Sequence, residues 1–106
     1  MFTYCVTFRV ADGVADRVTY DQRYGALMDN ITKARSRGYW EETTSFILIE
    51  SPLSTSALCA DLSRGLSAAK DMLVVFDPSD MSLAYFGAVK SPDVLGSFFK
   101  TRKKVG

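Results

Sequence analysis

Histidine is missing from this chain altogether. Without an imidazole there is no Ser-His-Asp or Cys-His catalysis, no histidine-ligated zinc, and no side chain that titrates near neutral pH at its ordinary pKa. Cysteine is nearly as scarce. The two residues, Cys5 and Cys59, are too few for a disulfide framework, and their separation fits no zinc or redox signature. They are expected as buried free thiols in a reducing compartment. No apolar run approaches the ~20 residues of a membrane helix, and no basic start followed by an apolar stretch marks a signal peptide. Charge of one sign is also lacking: thirteen basic and twelve acidic residues leave a net +1, so only a local patch could attract nucleic acid or acidic lipid. These absences describe a soluble, cytoplasmic protein with no membrane partner. Any hydrolysis would have to rest on carboxylates, a lysine, or a divalent ion held by oxygen ligands.

What is present is material for one hydrophobic core. Aliphatic, aromatic and sulfur-bearing residues make up 47% of 106 residues, enough to fold a single domain without staples. The opening segment Thr3 to Val10 alternates as a strand does. Tyr4, Val6, Phe8 and Val10 share an apolar face, while Thr3, Cys5, Thr7 and Arg9 share a mixed one. Arg9 stands at the carboxyl end of this strand, where small α/β domains often place their chemistry. A guanidinium there can hold an anion but cannot ligate a metal.

Thr19-Tyr20-Asp21-Gln22 forms a capping box that opens a helix expected to reach about Arg37, with Tyr24, Leu27, Met28, Ile31 and Ala34 facing inward and Gly38 as its stop. Tyr39 to Ser51 is extended, and Glu41-Glu42 marks a bend or bulge that could divide it into two strands. A second helix is expected from Ser54 or Ser56 to about Ala69 on the Leu58, Leu62, Leu66 repeat. Asp71 to Phe76 is a nearly continuous apolar strand, Asp77-Pro78-Ser79-Asp80 a turn, and Met81 to Val89 the returning strand. Ser91-Pro92-Asp93 opens a short helix whose packing residues would be Val94, Leu95, Phe98 and Phe99. Residues 100–106 then read as a frayed basic tail.

This order of elements implies an α+β fold, a ferredoxin-like two-layer sandwich with an additional C-terminal strand free to pair with another subunit. Residues 1–99 form the domain. Tyr4-Cys5-Val6-Thr7-Phe8, the tyrosine- and arginine-bearing first helix, Gly38-Tyr39 leading to Thr44-Ser45-Phe46, Leu53-Ser54-Thr55 and the final strand pair together resemble the small CRISPR-associated nuclease and integration-scaffold family. The related virulence-associated D-type ribonuclease toxins are similar in the same places. The resemblance implies a ferredoxin-like homodimer. It also implies a metal-binding aspartate at the end of the first strand, where this chain has Arg9, with Asp12 matching a later acid.

Lacking that oxygen donor, the chain is expected to associate with RNA or DNA rather than cleave it, through Arg9, Lys100, Arg102, Lys103 and Lys104. No cofactor is expected. Magnesium would enter only if Asp12 served a metal-dependent ribonuclease. Asp77 and Asp80 could pair about such an ion, but Asp-Pro-Ser-Asp is ordinary turn chemistry, and Glu41 and Glu42 point to opposite faces of an extended strand. A protein-interaction or assembly module using the exposed sheet face is the alternative.

Overall fold

A computed structural model describes all 106 residues. The order of elements is β1 (Phe2–Arg9), α1 (Tyr20–Ala34), β2 (Tyr39–Thr43), β3 (Phe46–Ser51), α2 (Thr55–Leu62), β4 (Met72–Asp77), β5 (Ser82–Gly87), α3 (Pro92–Gly96) and β6 (Thr101–Val105). One sheet holds all six strands in the order β2-β3-β1-β4-β5-β6. Its first four strands are antiparallel neighbours joined by α1 and α2, the connectivity of a ferredoxin-like α+β sandwich.

The alternation along β1 becomes two faces. Tyr4, Val6 and Phe8 point toward α1 and α2 and join Leu27, Ile31, Ile47, Ile49, Leu58, Leu62, Leu73, Val75 and Phe86 in the core. The register carries the opposite face across the sheet: Cys5 lies beside Leu48 and Phe76, and Thr7 beside Phe46 and Val74. The extended segment divides in two, but at Thr44-Ser45 and not at the acidic pair, which lies within β2. A bulge falls between Trp40 and Thr43, and Thr44-Ser45 turns the chain with Ser45 at φ 59°.

Several expectations need correction. Helix α1 ends at Ala34, with Arg35 already extended, so Gly38 is not its stop, and Tyr24 is exposed. The basic tail is not frayed: Thr101–Val105 is β6, running parallel to β5 with Val105 opposite Phe86. Residues 88–100, including α3, supply the crossover that a parallel pair requires. The sheet therefore gains two strands beyond the basic unit, not one, and the outer edge of β5 is filled by the chain's own β6. Helix α2 stops at Leu62 instead of Ala69, because Gly65 is at φ +88° and the Ser67 amide leaves the helix to donate to Asp71 Oδ2 (2.8 Å). Finally, Val94 and Phe98 are exposed. Phe99 does pack, its ring 5.1 Å from that of Phe76. Phe76 belongs to the face opposite α1 and α2, so α3 and its following turn cover that face over β4 to β6. They leave β2, β3 and β1 bare.

Candidate functional site

The polypeptide leaving β1 is held by a buried ion pair. Arg23 and Asp71 have side chains 1% and 0% exposed, and Arg23 Nε donates to Asp71 Oδ2 at 2.9 Å. The remaining guanidinium nitrogens donate to the carbonyls of Val18 (2.6 Å), Gly13 (3.1 Å) and Ala11 (2.5 Å). Asp71 Oδ1 in turn accepts from the Ala11 amide at 2.9 Å. Burying two charges is tolerated because nearly every donor and acceptor is used. Within this loop Ala15 and Val18 exchange backbone hydrogen bonds around Asp16 and Arg17, both at positive φ. Asp12 thus sits between two anchored residues with its own side chain outward and exposed. The chain contains no group of three metal-capable His, Cys, Asp or Glu side chains.

Arg9 is exposed, has no ion-pair or hydrogen-bond partner, and lines none of the five surface concavities. It lies on β1, three strands from β6, a separation of about 14 Å at ~4.8 Å per strand. The other basic candidates are collected on the edge of the sheet. Lys100 precedes β6. Lys103 is on the face covered by α2, opposite Ala84, and Arg102 and Lys104 are on the other face, opposite Leu83 and Tyr85. Arg102 is committed to α3, donating to Asp93 (3.0 Å) and to the Pro92 carbonyl (3.2 Å). Lys100, Lys103 and Lys104 form no ion pair within 4 Å and remain exposed.

Beside Lys103 lies a cleft of about 270 Å³ at the start of α2, rimmed by Ser54, Thr55, Ser56, Ser82 and Thr101. Asp80 shares this rim. The Ser82 hydroxyl (2.6 Å) and amide (2.9 Å) donate to its carboxylate, and with Lys100 nearby they hold it below the usual carboxylate range. Thr55 Oγ1 lies 2.6 Å from Ser82 Oγ, continuing the chain of hydroxyls. Asp77 accepts from the Ser79 amide (2.8 Å) and hydroxyl (2.7 Å). Each aspartate is therefore spent on its own turn, and they do not act as a pair.

Two features had weak signals in the sequence. Arg23 falls on the helical face of Leu27 and Ile31, but its charge hides its burial until Asp71 is placed opposite it. Tyr20 and Tyr24, four residues apart on α1, stack with centroids 5.8 Å apart, and Phe8 meets Tyr24 edge-on at 6.3 Å. With Glu41 these rings line a second cleft of about 250 Å³. Trp40 Nε1 donates to Glu42 at 2.6 Å on the bare sheet face, so the two glutamates do point to opposite faces.

The thiols are also separated by the sheet, Cys5 on its bare face and Cys59 in the core beneath α2. Burial pushes the Cys59 thiol up to about 12 and raises that of Cys5. Neither is an activated nucleophile. No helix is long and apolar enough to cross a membrane. The chain matches no protein-family model, no curated protein and no solved structure.

Proposed function

We propose that this chain is a small homodimeric, non-enzymatic nucleic-acid-associated protein of the cytoplasm, similar in role to the scaffold members of the CRISPR-associated group. The observation that carries this reading is the basic edge strand. Lys100, just before β6, and Lys103 and Lys104 within it stand unpaired, and Lys103 lines a cleft rimmed with hydroxyls. Phosphate contacts need cations not already neutralised and donors that can follow a backbone, and this edge supplies both. Arg9, remote from β6 and outside any concavity, is a peripheral contact in this reading rather than a clamp. The two free thiols, unable to meet across the sheet, suit a reducing compartment.

Fluorescence anisotropy with labelled single-stranded RNA and duplex DNA tests it. Three lysine–phosphate contacts give a slope of log K against log salt of roughly −2 to −3, or about thirtyfold weaker binding between 50 and 200 mM salt. Lys103→Ala and Lys104→Ala each reduce the slope by about one. No binding to either nucleic acid at 50 mM salt would end this reading. In its place would stand the interaction module, favoured by the bare half-sheet that presents Trp40, Phe46 and Leu48. A ribonuclease would require Asp12 to gain its further ligands from a second chain. It is disfavoured by Arg9 at the strand end.

A further inference from the structure

We propose that the cleft between α1 and the β2–β3 hairpin binds a small organic cation, an alkylammonium or guanidinium headgroup seated against the Tyr24 ring with its charge facing Glu41. The site is separate from the basic edge, which lies at the far side of the sheet. Its chemistry is also the reverse. Glu41 is the one charged residue among those lining the cleft, and no lysine or arginine reaches it. A phosphate would meet only negative charge there.

The walls are aromatic and apolar. Phe8, Tyr20, Tyr24, Met28 and Ile47 contribute, and Tyr24 is left 38% exposed although it borders the core. Aromatic faces carry the negative part of the ring quadrupole and attract cations positioned over them. Alternation along β2 aims the carboxylate, which lines the cleft with Ile47. Trp40 faces the bare side of the sheet and Glu41 the α1 side, while Glu42 turns back to Trp40. Glu41 itself has no hydrogen-bond or ion-pair partner in the protein. Asp21 in the first turn of α1 offsets the positive end of that helix, which would otherwise oppose a cation. A volume near 250 Å³ falls just below the ~300 Å³ at which drug-sized ligand pockets begin, so it holds one headgroup and not a nucleotide.

The test is a titration followed by NMR of the tyrosine ring signals, using choline, N-acetylargininamide and the uncharged choline isostere 3,3-dimethylbutan-1-ol. At least one of the two cations is expected to shift Tyr20 and Tyr24 saturably and to bind about tenfold more tightly than the alcohol. Glu41→Gln should weaken that cation about fivefold without changing the alcohol, Glu42→Gln should change neither, and Tyr24→Leu should abolish the response. Glu41 is an exposed strand residue, so its variant keeps the fold, which an unchanged amide spectrum verifies. Equal affinity for cation and alcohol, indifference to Glu41→Gln, or no saturable shift with either cation would overturn the proposal. Nucleic-acid binding through β6 would be unaffected by any of these results.

Discussion

Arg23 shares a helical face with Leu27 and Ile31, four and eight residues further on, so spacing turns it inward while its charge argues for solvent. Its burial follows from a need elsewhere: the loop between β1 and α1 turns backbone carbonyls inward, and a guanidinium is the group that can donate to three of them while still meeting a carboxylate. Because the network is closed on both sides, removing one partner leaves the other charged and dry. Asp71→Asn, nearly the same size, should lower unfolding free energy by about 3–5 kcal/mol in urea titration. Replacing both residues by apolar ones should cost less than the sum of the single changes. Additive losses would show that the pair acts as two independent hydrogen-bonding groups. Helical periodicity made Leu27 and Ile31 legible because burial of an apolar stripe is a local property. The ion pair was not, since its partners are 48 residues apart and each is polar by itself.

The elements divide along the same line. The capping box at Thr19 and Gln22 forms as its residues dictate, each side chain bonding the other's backbone. The turn at Asp77 and the proline start of α3 are likewise local and were readable. β6 was not, because Thr-Arg-Lys-Lys-Val has the composition of a solvated tail and becomes a strand only when β5 offers an open edge. One residue supplies most of the apolar gain: Val105 is 9% exposed and packs at Phe86, while Thr101 to Lys104 remain exposed. Val105→Ala should therefore cost roughly 1–2 kcal/mol from two lost methyl contacts, at ~0.8 kcal/mol each. Hydrogen exchange should show faster loss of protection along β5 and β6 than in β1. If protection falls evenly through the sheet, the edge strand is not a separate unit of stability. This docking also bears on the candidate site, since it turns a flexible arm into a rigid strip whose lysines point to both faces.

For the whole molecule the question is what covers the second side of the sheet. Helices α1 and α2 cover the central strands on one side, whereas α3 reaches only the β4–β6 half of the other. On the remaining half Trp40, Phe46 and Leu48 stand with Cys5 and Thr7, and Trp40 is 38% exposed. An apolar strip of this kind on a small domain is better stabilised against a second apolar surface than against water. The outermost strand there, β2, is exposed at all five positions, but Glu41 and Glu42 disfavour pairing two copies edge to edge, as like charges would face each other. Face-to-face association of two copies through β1 and β3 avoids that repulsion and repeats one patch symmetrically. Light scattering at micromolar concentration should then give about twice the monomer mass of 11.7 kDa. Leu48→Lys should return the mass to that of one chain while leaving the thermal midpoint of a dilute sample nearly unchanged, because Leu48 is on the face away from the core cluster. A wild-type protein that scatters as a monomer across this range would leave the strip to a different partner and remove the homodimer from the proposed function.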